Sequence, residues 1–335
     1  REDYEIPRKY GSKQDMGECG GPGGLFHALR SVNLVLGICK TIEENAPEAL
    51  LLNVTNPLPR VNLAIHRAIS LRCVGDCPEY LFGVMRLSLF LGRPVGEIRA
   101  TAAGMNHFTW FQDIRDSRTG EDLYPALRRH VERFPFMHGR LGRRCFEEFG
   151  LYPVSSDSHI GEYLPSDGPG SRSVSEVFPY HEFSAFETGL RRLVTNAVAE
   201  GRLRLPMSIL PKSFEMGILI LEALASGARE EFGAANFINE GNIPNLPDGY
   251  AVETAALAED GALVARNARP LPEPIAEAIR NQFEIHSLIA DSVLGRDPAP
   301  AFEALLLDPL APPSKDACRR LFDEMLAVQK HRLPF

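Results

Sequence analysis

Ala49-Leu50-Leu51-Leu52-Asn53-Val54-Thr55-Asn56-Pro57 is the stretch on which the fold turns. A strand with one wet face alternates apolar and polar residues. A short, nearly continuous apolar run that halts at Thr-Asn-Pro reads instead as a strand buried on both faces. Downstream, Val61 to Leu71 is an amphipathic helix, Arg72 to Gly75 a second short strand, and Pro78 to Leu91 a helix with Pro in its first turn. Upstream, Leu25, Leu29, Val32, Val35, Leu36 and Cys39 fall at helical spacing and predict a helix over Leu25 to Ile42. Strand, helix, strand, helix is the grammar of a parallel sheet, so the fold class expected is α/β, with a Rossmann-type parallel sheet.

From Glu97 the pattern changes. Ile98, Ala100 and Ala102 alternate, Asn106-His107-Phe108-Thr109-Trp110 follows, and Phe111 to Arg115 runs into a turn at Asp116 to Gly120, which implies an antiparallel pair. Residues 121–150, 180–228, 272–295 and 314–329 read as helical, and Tyr250 to Thr254 as a strand. Pro153 to Ser175, rich in Ser, Pro, Gly and Asp, reads as an ordered loop near a site. Glu43-Glu44 and Glu230-Glu231 read as solvated helix faces. The expected division is 1–96, a parallel-sheet unit, and 97–335, an α+β unit.

The balance of 36 Lys plus Arg against 44 Asp plus Glu, a net charge of −8 without a basic run, argues for a small solute rather than nucleic acid as partner. No apolar segment is read as approaching the about 18 residues of a membrane span, and Arg1-Glu2-Asp3-Tyr4 has no signal-peptide character. The six cysteines are too sparse for a disulfide framework in 335 residues, which fits a reducing cytoplasm. Cys73 and Cys77 have no second pair at zinc-ribbon spacing, so a structural zinc site is disfavoured.

Cys77 and His107 are the residues with the most chemistry in them. Each adjoins an apolar, strand-like run, and a soft thiolate and an imidazole can share one transition metal while leaving positions open for a substrate. The bland reading is a core thiol at a strand end and a packed imidazole near Trp110. Asn56 stands where open parallel sheets place ligand contacts, or merely stops the strand. Gly20-Gly21-Pro22-Gly23-Gly24 reads as a tight turn more readily than as an anion-binding loop, because Phe26 occupies the place of a last glycine and no apolar strand precedes it. The other four cysteines read as core.

Taken together, the segments resemble glycoside hydrolase family 4, NAD-dependent glycosidases with a lactate and malate dehydrogenase-like fold. The resemblance is carried, in the family's order, by Ile6-Pro7-Arg8-Lys9-Tyr10-Gly11, Gly20-Gly21-Pro22-Gly23-Gly24, Asn53-Val54-Thr55-Asn56-Pro57, Val74-Gly75-Asp76-Cys77, Ala103-Gly104-Met105-Asn106-His107-Phe108, Ser158-His159-Ile160-Gly161-Glu162-Tyr163-Leu164-Pro165 and Ile243-Pro244-Asn245-Leu246-Pro247. Two departures stand out. The family's opening strand and Gly-rich turn, part of a unit on the order of 100 residues that grips a dinucleotide, are expected upstream of Arg1. Pro78, after Cys77, replaces a His, Asp or Asn that touches substrate in the family.

The resemblance implies hydride removal from C3 of a sugar by NAD, loss of the acidified C2 proton, elimination of the aglycone, water addition and return of the hydride, outside the two-carboxylate scheme of most glycosidases. It implies manganese held by Cys77 and His107, a sugar hydroxyl on Asn56, and Val54 against the nicotinamide. Tyr163 is the expected C2 base, a tyrosinate lowered by a nearby cation, with His159 orienting the sugar or moving a proton and Glu162 as readily a solvated charge. A homodimer or homotetramer acting on a small glycoside is implied as well. A 2-hydroxy acid dehydrogenase, needing no Cys ligand, and a non-catalytic member without NAD are the alternatives.

Overall fold

The computed structural model describes residues 1–164, 180–204 and 216–335, so the later part of the expected Pro153 to Ser175 loop lies outside the described residues. β1 (Leu50–Asn53) and β2 (Arg72–Gly75) pair in parallel, Leu50 with Arg72 through Asn53 with Gly75, and α3 (Leu58–Ala68) connects them. This is the βαβ unit that the run before Pro57 predicts. α3 starts three residues ahead of the expected Val61, because Leu58, Pro59 and Arg60 are already buried. It packs closely on β2: a Cβ on Gly75 would stand 2.5 Å from the Asn62 amide nitrogen and 2.6 Å from a Leu58 methyl.

Beyond β2 the sheet turns antiparallel. β5 (Glu230–Ile238) joins β2 at Gly75 opposite Asn236, and β6 (Ala251–Glu259), β3 (Ile98–Met105) and β4 (Phe108–Asp116) follow. The order is β1-β2-β5-β6-β3-β4, with β7 (Ala262–Ala265) also on β6. One sheet thus runs across position 96. Glu230 and Glu231, expected on a helix, are the exposed start of β5, which pairs along β6 and meets β2 at Asn236.

Helices cover the sheet. α2 (Gly21–Asn45) lays Leu25, Phe26, Leu29, Val32 and Cys39 into a core shared with α3, α10 (Glu273–Gly295), α11 (Pro298–Leu307) and α12 (Lys315–Gln329). In that core Phe322 lies 5.4 Å from both Phe26 and Phe302. Burying one such ring contributes roughly 1.5–3 kcal/mol. Contrary to the sequence expectation, α2 is long and apolar enough to span a bilayer by length and composition, but its buried face is built into this core. α1 (Glu2–Lys9), which the sequence pattern left unassigned, is tied down by Arg30, paired with Asp3 at 2.6 Å. α4 (Glu79–Leu91), α5 (Tyr124–Arg133), α6 (Arg140–Phe149), the single turn α7 (Asp157–Ile160), α8 (Tyr180–Ala199) and α9 (Gly217–Ser226) complete the described helices.

Candidate active site

The site lies at the carboxyl end of the two parallel strands, where α/β sheets place ligands. The Asn53 side chain fixes the exit from β1: its amide donates to Asn62 Oδ1 at 2.8 Å, and its Oδ1 accepts the Thr55 N–H at 3.0 Å. Asn56 then donates to Glu18 Oε1 at 2.9 Å. The exit from β2 is pinned by the Asp76 N–H on the Asn53 carbonyl, 3.0 Å, and Pro78 caps α4, leaving Cys77 between strand and helix. Asn106 and His107 form the tight turn between β3 and β4, with His107 in the left-handed region at φ 64°.

These two turns bring Cys77 Sγ to 3.6 Å from His107 Nε2 across thirty residues of chain. Two donors on one tetrahedral ion, with bonds of about 2.3 Å to sulfur and about 2.0 Å to nitrogen, stand roughly 3.5 Å apart. The pair therefore fits a shared metal ion. His107 is buried, and burial first, then the neighbouring His159, holds its pKa well below the usual range, leaving the neutral imidazole that ligates. Burial pushes the Cys77 thiol up, so a bound cation has to displace its proton.

Around the pair are further donors. The His159 ring stands edge-on to His107 with centroids 4.3 Å apart, and ligating atoms of Glu18, His107 and His159 all lie within 4.8 Å of one another. Cys19, His107 and Glu162 meet the same limit, with Cys19 Sγ 3.3 Å from His107 Nδ1. The two sets differ in what already occupies them. Glu162 accepts the N–H groups of Glu18, Cys19 and Gly20 at 2.6, 2.9 and 3.4 Å, so backbone donors fill its carboxylate. Glu18 and His159 are only half-buried, so the open side of the site is theirs.

Behind the pair is an outer layer of hydrogen bonds. Glu253, fully buried, accepts from Asn106 at 3.2 Å, from Asn236 at 2.9 Å and from the Thr109 hydroxyl. The neighbouring Asn106 amide opposes, in part, the rise that burial gives the Cys77 thiol. Partners of this kind orient the ligands of a metal and tune their basicity.

The structure thus brings together Cys77, His107, Asn56 and His159, with Val54 exposed at the rim beside them. Tyr163 packs beneath, its ring 5.5 Å from Phe108. A phenol lowered by a nearby cation is not what this environment gives. Burial pushes Tyr163 well above its ordinary value, the charges of Cys19 and Glu162 add to that, and Arg60 opposes it only in part. Glu162 is corrected too: it is fully buried rather than solvated, and burial pushes it up to about 8 against the pull of its N–H donors. Gly20 to Gly24 is the buried N-terminus of α2 rather than a free turn, with the Gly20 N–H on Glu162 and the Gly23 N–H on Gln14 Oε1. Asn245 brackets Leu271 with bonds of 2.8 and 3.0 Å, holding a turn whose Leu246 packs in one buried cluster with Phe108 and Tyr163.

Glu18 and Cys19 were missed by the sequence reading, although Glu18-Cys19 directly precedes the glycine run. A carboxylate and a thiol beside a Gly-rich helix start are the signal the sequence offers, although Cys19 reads there as a core thiol.

Two family models match this chain: family 4 glycosyl hydrolase over residues 1–90, and family 4 glycosyl hydrolase C-terminal domain over residues 102–311. Among curated relatives, an alpha-glucosidase of Erwinia rhapontici is 27% identical, covering 98% of this chain and 78% of that protein. An alpha-galactosidase of Bacillus subtilis (strain 168) is 29% identical over 92% of this chain and 71% of the relative. Among solved structures, a 6-phospho-alpha-glucosidase from gut microorganisms, in complex with NAD and Mn2+, superposes with a TM-score of 0.80 at 23% identity, over 99% of this chain and 78% of that one. The chain belongs to family 4 of the glycosyl hydrolases.

Proposed function

We propose that this chain hydrolyses a small, unphosphorylated glycoside with NAD and manganese, and that it works as a homodimer or homotetramer. The observation that carries the reading is the 3.6 Å separation of Cys77 Sγ and His107 Nε2, beside Asn56 at the strand ends. A 2-hydroxy acid dehydrogenase has no use for that sulfur. When bound, the nicotinamide accepts and returns a hydride, and the metal acts as a Lewis acid on sugar oxygens.

The rest is the work of the chain's own residues. Cys77 and His107 would hold the ion, while Glu18 and His159 stand by the same imidazole. Val54 offers an exposed apolar surface for the nicotinamide ring, and Asn56 presents an amide, already oriented by Glu18, to a sugar hydroxyl. His159, half-buried beside His107, is placed to move a proton between the pocket and solvent. Tyr163 is assigned the C2 proton, with its hydroxyl oxygen as the acceptor; burial holds the phenol high and Arg60 offsets that only in part, so the phenolate would depend on the charge of a bound cation. Residues 1–96 are assigned to the nucleotide and 97–335 to the sugar and to subunit contacts.

A panel of chromogenic glucosides, galactosides and uronides, assayed with NAD, Mn2+ and a thiol, tests the reading. Turnover that needs all three is expected. Metal-independent oxidation of a 2-hydroxy acid, or no NAD binding by titration calorimetry, would overturn it. Tyr163→Phe is expected to lose exchange of the sugar's C2 proton with solvent, read by NMR in D2O, and unchanged exchange removes Tyr163 from the chemistry. For Asn56→Ala, loss of one hydrogen bond of about 1–1.5 kcal/mol predicts a KM raised roughly tenfold, with kcat less affected.

A further inference from the structure

We infer that Glu162 is a positioning residue for both halves of the site: its buried carboxylate, by taking the N–H groups of Glu18, Cys19 and Gly20, sets Glu18 against Asn56 and Cys19 against His107. This rests on the metal and sugar assignment above, but goes beyond it to the group that places the loop. Glu162 lies 143 residues from Cys19 in sequence and carries no solvent exposure. Its Oε1 takes the Glu18 N–H, while Oε2 takes those of Cys19 and Gly20.

Two consequences sit one bond away. The Glu18 side chain reaches Asn56 at 2.9 Å, and Cys19 Sγ reaches His107 Nδ1 at 3.3 Å. The imidazole is therefore held from its Nδ1 side while Nε2 faces Cys77, which is how an outer partner fixes the direction of a ligating ring. The fit of the loop is close on the backbone as well: a Cβ on Gly20 would come within 2.0 Å of the Glu162 carbonyl oxygen. α7 supplies the other side, since Glu162 follows its last turn and its own N–H donates to the His159 carbonyl at 3.0 Å. One residue thus ties the loop before α2 to the segment that carries His159.

The test is hydrogen exchange on the metal-free protein. In Glu162→Gln the side-chain amide sets an NH2 against N–H donors, so the amides of residues 18–20 are expected to exchange at least about tenfold faster, as loss of a charge-assisted bond predicts. Cys19, buried in the wild type, should gain reactivity toward a thiol alkylating agent located by peptide mapping. Mn2+ affinity should fall roughly tenfold, the size of a lost outer partner. Glu162→Asp, which keeps the charge on a shorter arm, gives the same exchange readout should the Gln variant fail to fold. Unchanged exchange at residues 18–20 in a folded variant overturns the inference. A wild type that neither binds Mn2+ nor cleaves glycosides sinks the functional reading alone, since amide exchange is read without either.

Discussion

Cys77→Ser is expected to abolish Mn2+ binding and glycoside cleavage together while the protein remains folded. Outer-shell partners of a metal cost about 10–100-fold in affinity when removed, and a ligand itself costs more, so a loss beyond 10²-fold in both quantities is expected. The fold should survive because Ser is close in size to Cys, and the Cys77 sulfur faces a polar partner, the His107 imidazole. Titration of the apo variant with Mn2+, alongside a thermal melt, checks it. Full activity with unaltered metal affinity would place the ion elsewhere.

The second large effect is on stability. Gly20→Ala puts a methyl 2.0 Å from the Glu162 carbonyl oxygen and 2.8 Å from its carbonyl carbon, and those are backbone atoms that cannot rotate away. Overpacking of this kind costs typically 1–3 kcal/mol and occasionally more, and with a rigid obstacle the upper end, about 3 kcal/mol, is expected. Gly37, inside the helix that Gly20 caps but with nothing within 4 Å of its virtual Cβ, is the control. There, Ala should stabilise by about 0.5–1 kcal/mol through the unfolded state. Urea midpoints at unchanged slope measure both, and equal midpoints for the two variants would contradict the packing argument.

The parallel core was legible because its signals are local. An apolar run halted by Asn56-Pro57, a helix of period 3.6, a second strand and a Pro at the start of α4 each announce themselves within about ten residues, although β1 ends at Asn53 and is a half-buried edge strand rather than one buried on both faces. The Cys77 and His107 pair was legible for the same reason, since each follows or tips a strand. β5 was not. It opens with two glutamates and continues through Gly233, Ala234, Ala235 and Asn236, residues of poor strand propensity, and it is a strand because β6 offers it a ladder and β2 meets it at Asn236. Tertiary pairing overrode the local preference.

The role of Glu162 was hidden by distance. Nothing near position 162 says that its carboxylate will sit on N–H groups more than 140 residues upstream, and an isolated glutamate in a polar stretch is usually wet. Cys19 was read as core, and by burial it is; what burial alone does not say is that its sulfur faces an imidazole nitrogen. The environment of Tyr163 shows the same limit, because a phenol's pKa depends on every charge around it.

Gly75 and Asn236 are the one paired position that joins the parallel and antiparallel parts of the sheet. Cleavage of the chain between Leu91 and Ile98 would leave Glu18, Cys19, Asn56 and Cys77 on one fragment, and His107, His159 and Glu162 on the other. Neither piece carries a complete donor set, and each would expose the apolar surface that α2 and α3 share with the C-terminal helices. The site exists only where stretches remote in sequence meet, so it rests on long-range contacts rather than on any one segment. Split halves mixed in solution would regain it only by rejoining along that seam.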